Sequence, residues 1–217
     1  MNCRPLLLLA AAALLSSCAT TARPGGSYDS PAHRPTNPQN VSVKVSLQNS
    51  MVYVMEGNRP LLVTPTCIGK PGTPTPTGHF KAYNKIANKR SGTYGYHVSG
   101  NSIVAGTSGA TPRGARYVGY PMAWWVEFAP GYGFHSGCVW PRPRTHGCLR
   151  LHANVAPKFY ALVPAGTPIH IAQTQPEDAT LGRNVPRPTD YALPDPPLPV
   201  MISNAAFPAP RGPLFAD

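Results

Sequence analysis

Apolar and polar residues alternate strictly along Val41-Ser42-Val43-Lys44-Val45-Ser46-Leu47, the period of a half-buried strand. Gln48-Asn49-Ser50 reads as a turn, Met51–Met55 as a second strand, and Glu56-Gly57-Asn58-Arg59 as a hairpin turn. Leu61–Ile68 predicts a third strand. Its Pro65 demands an edge or a bulge, because proline brings no N–H to a ladder. A Gly/Pro/Thr loop over 69–78 leads into a strand near His79–Tyr83. Residues 84–116 predict irregular loop, with one short strand at Ser102–Ala105. Met122–Phe128 is aromatic and β-prone, and Ile169–Ala172 predicts a closing strand. One helix is predicted, over Val155–Val163: Asn154 can cap it, Pro157 falls in its first turn, and Pro164-Ala165-Gly166 ends it. Short strands, regular turns and one helix predict a mainly β fold of two packed sheets.

Outside this patterned region the composition changes. Residues 18–40 are rich in Thr, Pro, Gly, Ser and Asn and predict a flexible tether. Residues 173–217 predict a Pro-rich tail with scattered acids and no sustained periodicity. The chain therefore divides into a leader (1–17), a tether (18–40), one domain (41–172) and a tail (173–217). In the leader, Arg4 precedes an apolar run, Leu6–Leu15, too short to span a bilayer as a mature helix. Leu15-Ser16-Ser17-Cys18 resembles a bacterial lipobox. That resemblance implies lipidation of Cys18 and a membrane anchor there. The simpler alternative is an ordinary cleaved signal among Ala19–Ala22. Both readings send the domain to the cell envelope. As a lipoprotein it would face the periplasm, and Ala19 carries no recognised retention signal, which favours the outer membrane.

Charge is uneven. Within 41–172 there are 13 basic residues and two acidic ones, Glu56 and Glu127, whereas the tail holds three basic and five acidic residues. So basic a domain attracts polyanions. For an exported protein those are anionic lipid and carboxylate-bearing wall peptides before nucleic acid, so no nucleic-acid partner is expected. Two acids in no convincing setting argue against a glycosidase, which needs a carboxylate on each side of its bond. They also argue against oxygen-rich Ca²⁺ or Mg²⁺ sites. No aspartate lies within 41–172 to complete a Cys-His-Asp triad, so a histidine there must be oriented by a hydroxyl, an amide or a backbone carbonyl.

Setting aside Cys3 in the leader and Cys18, three cysteines remain: Cys67, Cys138 and Cys148. An odd count in an oxidising compartment leaves room for one pair and one reactive thiol, and Cys67–Cys138 is the pairing that spares Cys148. Cys148 sits in Thr145-His146-Gly147-Cys148-Leu149-Arg150-Leu151, thirteen residues after His135. A thiol becomes a working nucleophile when a neighbour lowers its pKa or takes its proton, and histidine does so near neutral pH. A zinc site of His135, His146, Cys148 and His152 matches no standard ligand spacing, so neither metal nor cofactor is expected. The aromatics Trp124, Trp125, Phe128, Tyr132 and Phe134 divide between core and cleft wall.

His135-Ser136, then Gly137–Arg144, then Thr145-His146-Gly147-Cys148-Leu149-Arg150 resembles the signature of L,D-transpeptidase catalytic domains of the YkuD type. The earlier run Gly69-Lys70-Pro71-Gly72-Thr73-Pro74-Thr75-Pro76-Thr77-Gly78-His79-Phe80 is similar to a second loop of that family, and Gly166-Thr167-Pro168-Ile169 fits its close. The resemblance implies a β-sandwich of two mixed sheets with one short helix after the nucleophile. It implies Cys148 as nucleophile, His135 as proton acceptor, Ser136 as the residue that positions the histidine, and Gly147 with Cys148 as oxyanion donors. His146, Arg150, Trp125 and Tyr132 are assigned to substrate contact or loop support. The implied substrate is a peptidoglycan stem peptide, processed through a thioester. The oligomeric state is left open.

Overall fold

The computed structural model describes residues 28–217. The leader and Cys18 lie outside the described residues. Ten strands form two five-stranded sheets. The first sheet has the order β3-β2-β1-β10-β4, with β1 at Val41–Ser46, β2 at Met51–Glu56, β3 at Arg59–Pro65, β4 at Gly78–Lys81 and β10 at Pro168–Ala172. The second has the order β6-β5-β7-β8-β9, with β5 at Asn84–Ser99, β6 at Ser102–Thr107, β7 at Arg116–Ala129, β8 at Tyr132–Ser136 and β9 at Leu149–Leu151. Both sheets are mixed: β1 runs parallel to β10, and β8 parallel to β9, while the other pairs are antiparallel. The mainly β sandwich of two mixed sheets is therefore what the chain folds into.

The alternation in β1 is realised in full: Val41, Val43 and Val45 are buried between the sheets. They meet Val52, Val54, Ile169 and Ile171 from their own sheet and Val126, Phe128, Phe134, Leu149 and Leu151 from the other. The helix α1 (Ala156–Leu162) adds Phe159 and Leu162, and the Phe159 ring lies 4.4 Å from that of Phe134. Removing this much apolar surface from water is the main force holding the two sheets together. Pro65 ends β3, the edge strand of the first sheet, where its missing N–H breaks no ladder.

Four expectations need correction. Residues 84–99 form not a loop but the longest strand, β5, paired along much of β7. Its polar sequence has no alternation because it is half-buried on both faces and is fixed by its partner's backbone. Asn154 does not cap α1. Its side-chain amide donates to the Tyr28 carbonyl at 2.9 Å, while Val155 occupies the cap position.

The described part of the tether, 28–40, lies on the domain. Ala32 is buried against Leu62, and the buried ammonium of Lys158 pairs with Asp29 at 2.6 Å. The tail also binds back. Asp178 accepts from the Tyr53 and Ser46 hydroxyls, Arg187 donates to the carbonyls of Asn49 and Ser50, and Arg90 donates to those of Met201 and Ser203. Composition alone misleads here because these segments need no core of their own; polar contacts dock them onto a finished one. Among the described residues no helix is long and apolar enough to cross a membrane.

Candidate active site

Alternation along three adjacent strands sets up the site. Val126 pairs with Phe134 and Phe134 with Leu149, all three buried in the core. Their immediate neighbours must then point to the opposite face of the second sheet. Trp125, His135 and Arg150 make one row across that face, and Glu127, Gly133 and Cys148 make the next. His135 and Cys148 thus sit on one face, on neighbouring segments of the sheet, one pleat apart. Cys148 is partly exposed, whereas His135 is only 4% exposed.

The loop that delivers Cys148 is held by the second motif, some seventy residues earlier in the chain. Gly69 bridges to Thr145, and the Lys70 N–H donates to the Thr145 carbonyl at 3.0 Å. The buried Thr75 hydroxyl donates to the Gly147 carbonyl at 3.0 Å and accepts from the Gly69 N–H at 3.0 Å. Thr145 closes the loop on itself: its hydroxyl donates to the Cys148 carbonyl at 2.6 Å and accepts from the Gly147 N–H at 3.1 Å. The two motifs are therefore two sides of one clamp around the thiol.

This clamp corrects the oxyanion assignment. The Gly147 N–H is already engaged by Thr145, which leaves the Cys148 amide as the remaining candidate of the two. What Gly147 supplies is backbone shape: its φ is +107°, a left-handed value that suits glycine.

His135 Nδ1 lies 2.8 Å from the Ser136 carbonyl. A carbonyl only accepts, so Nδ1 carries the proton and Nε2 keeps its lone pair. The orienting group is thus the Ser136 backbone oxygen, one of the three kinds open to a site without aspartate. Burial, with the Arg150 guanidinium nearby, pushes the His135 pKa down to about 3. Burial also raises the Cys148 thiol above its usual range, against the opposing pull of the Gly133 amide and Arg150. The resting pair is a neutral thiol and a neutral imidazole. Of the two ways of activating a thiol, this state suits proton transfer during attack rather than a pKa lowered in advance. The thiol hydrogen meanwhile rests on the Gly131 carbonyl, 3.7 Å from the sulfur.

The other site residues separate in role. His146 is exposed and stacks on Tyr94, ring centroids 4.5 Å apart, on the open side of the loop. Arg150 is half-buried and acts electrostatically on His135, His146 and Cys148. Tyr132 packs on the core, and its ring sits where a Cβ on Gly147 would fall. Trp125 is corrected: at 1% exposure it has no surface to offer a substrate. Its ring instead lies 6.1 Å from that of His135. Phe128 and Phe134 are core residues. Cys67, Cys138 and Cys148 form no disulfide, so the Cys67–Cys138 bridge is not present. The Cys67 sulfur is turned instead to the carbonyls of Ile68 and Arg142. Among the described residues no three His, Cys, Asp or Glu side chains converge to hold a metal. Sequence reasoning missed Tyr94, which lies in the misread strand β5.

Burial of His135 has a measurable consequence. An unfolded histidine titrates near 6.5, so below that pH the unfolded chain takes up a proton that the folded chain refuses. Stability from this residue is complete above the unfolded pKa and is lost as pH falls toward the folded one. From about pH 7 to about pH 5 the loss is about 2 kcal/mol. Urea unfolding at the two pH values should therefore show a difference smaller by that amount in His135→Gln than in the parent. Equal differences would rule the linkage out.

Residues 40–171 match the family model described as the L,D-transpeptidase catalytic domain. No curated protein matches the chain. Among solved structures, an L,D-transpeptidase from Stackebrandtia nassauensis is similar at 18% identity and a TM-score of 0.47, over 67% of this chain and 60% of that one. One from Mycobacterium smegmatis is similar at 20% identity and a TM-score of 0.45, over 61% and 58%. One from Enterococcus faecium is similar at 21% identity and a TM-score of 0.45, over 61% and 50%. The chain spans three fifths or less of the length of these structures.

Proposed function

The chain belongs to the L,D-transpeptidase catalytic domain family, and from that premise we propose that it transfers peptidoglycan stem peptides through a thioester on Cys148. The observation that carries the proposal is the arrangement of Cys148 beside His135 on one sheet face, with Nδ1 of the histidine held by the Ser136 carbonyl and Nε2 left basic.

The sulfur attacks the carbonyl of the third stem residue, a diamino acid, as its proton passes to His135 Nε2. The carbonyl oxygen takes the negative charge, and the Cys148 amide donates to it. When the C–N bond breaks, His135 returns the proton to the departing amine of the terminal D-alanine, leaving a thioester. An acceptor amine then attacks the thioester and gives a proton to His135, which passes it to the sulfur as the C–S bond breaks, so that Cys148 leaves as thiol. The acceptor decides the product: a second stem peptide gives a 3→3 cross-link, an envelope protein gives attachment to the wall, and water gives L,D-carboxypeptidase activity. The surrounding basic side chains suit a carboxylate-rich polymer, and Arg150 has the fork geometry that pairs with carboxylates. Lipidation of Cys18 would hold this chemistry at the periplasmic face of a membrane.

The test is product analysis. The purified chain, given tetrapeptide muropeptides and an amine acceptor, is expected to release D-alanine and form cross-linked dimers, while Cys148→Ala forms neither. D-alanine release without dimers would assign water as the acceptor. A parent chain that releases no D-alanine and forms no covalent adduct with a carbapenem would end the proposal.

A further inference from the structure

Glu127 is one of only two acids between residues 41 and 172, and nothing in the mechanism above uses it. It lies in the same row as Gly133 and Cys148, at the end of β7, cross-strand from Asn84 of β5. Its carboxylate gathers donors from three elements. Oε2 accepts from the Asn84 amide at 2.9 Å and from the Trp125 indole N–H at 3.3 Å. Oε1 accepts from the Gly131 N–H at 3.1 Å. These bonds hold the group below the usual carboxylate range, so it stays ionised.

Two of the donors lead directly to the reacting groups. Gly131 is the turn residue whose carbonyl receives the Cys148 thiol hydrogen, and its amide and carbonyl belong to one short segment. Trp125 stands across from His135 in the β7–β8 register, and its buried ring lies 6.1 Å from the imidazole, centre to centre. One carboxylate thus fixes the hairpin turn beside the sulfur and the aromatic wall beside the base. An ionised acceptor makes stronger hydrogen bonds than a neutral one, and here it binds both structures at once.

We propose that Glu127 is a positioning residue that sets the Cys148–His135 geometry, acting on the sulfur through Gly131 and on the imidazole through Trp125. Where it refers to turnover, the proposal rests on the transpeptidase reading. Where it refers to thiol chemistry, it stands alone. Glu127→Ala removes both arms of the clamp. Glu127→Gln keeps an oxygen for one arm and presents a second donor to the other, and it also removes the negative charge facing the thiol.

The experiment follows two quantities in the purified full chain. The first is steady-state turnover on tetrapeptide muropeptides. The second is the pH profile of iodoacetamide alkylation at Cys148, read by peptide mapping so that Cys67 and Cys138 are separated from it. Glu127→Ala is expected to lower kcat at least about tenfold with KM within about threefold, since small errors in reacting geometry carry large rate costs. Glu127→Gln is expected to retain more of kcat, at a melting temperature close to the parent's, while its alkylation midpoint moves to lower pH. Turnover in Glu127→Ala within about twofold of the parent would overturn the proposal. So would a Glu127→Gln alkylation profile superimposable on the parent's. Alkylation needs no peptidoglycan. A parent chain inert on muropeptides would defeat the functional reading while leaving the alkylation arm to judge Glu127.

Discussion

Replacing His135 by alanine is expected to slow acylation of Cys148 by about 10²–10⁴-fold, the range removed with a general base, whereas His146→Ala should cost less than about tenfold, the worth of one modest contact. Both histidines stand close to the thiol in sequence, so the contrast tests geometry rather than proximity. His135 is buried, shares the sulfur's sheet face, and has its tautomer fixed by the Ser136 carbonyl. His146 is exposed and stacked on Tyr94. Acylation can be followed as adduct mass against time with a carbapenem. Comparable losses in the two variants, or a greater loss in His146→Ala, would reverse the assignment.

The neutral resting pair shapes the pH dependence of the same reaction. With His135 held near 3 and the thiol pushed above its usual range, the ion pair is disfavoured until an electrophile arrives. Acylation by the parent should therefore show no acid limb with a midpoint near 6.5, the place an ordinary histidine would put one. Its rate should go on rising into alkaline solution as the thiol ionises. An ion pair formed in advance would instead show no further rise in alkali, because its sulfur is already ionised.

The residues proposed to react were legible in the chain, and those that hold them in place largely were not. His135, Gly147, Cys148 and Arg150 were readable because the loop that carries them is short and its chemistry restricts residue type at each step. The second motif was equally visible, but its purpose was not. Only the fold shows that Thr73 and Thr75 bind the carbonyls of Thr145 and Gly147 from beneath. Glu127 left no local sign. Its partner Asn84 comes from a strand whose polar sequence reads as loop, and Gly131 looks like an ordinary turn glycine. Trp125 was misjudged as a cleft residue because adjacent tryptophans on a strand must face opposite ways, and sequence does not say which faces solvent. Here Trp125 is covered, while Trp124, at φ +61°, is half-buried against Tyr160 and lines an open pocket beside Ser136 and Gly137. The flanking segments show the same limit. A proline-rich stretch builds no core, yet Gln175 and Asp190 are buried and Ala216 bonds to Ala32.

Gly147→Ala tests how firmly the nucleophile loop is fixed, and it is expected to destabilise the fold by roughly 2–5 kcal/mol, the sum of a strained backbone and an overpacked contact. At φ +107° an alanine is strained wherever it points. The added Cβ would also fall 2.4 Å from Cε1 of Tyr132 and 3.2 Å from the Pro74 carbonyl oxygen. The residue has no freedom to rotate away, because its carbonyl is bound by Thr75 and its amide by Thr145. Any relaxation must therefore move Cys148, whose carbonyl is tied to the same threonine. Turnover should fall even at temperatures where the variant is folded. A double-mutant cycle with Tyr132→Ala divides the cost. Removing the ring should recover the contact part of the Gly147→Ala penalty and leave the backbone part, so the two changes should be non-additive. Strict additivity would mean that the Tyr132 ring does not confine the glycine. A Gly147→Ala chain as stable and active as the parent would mean that this loop does not hold the thiol by backbone shape at all.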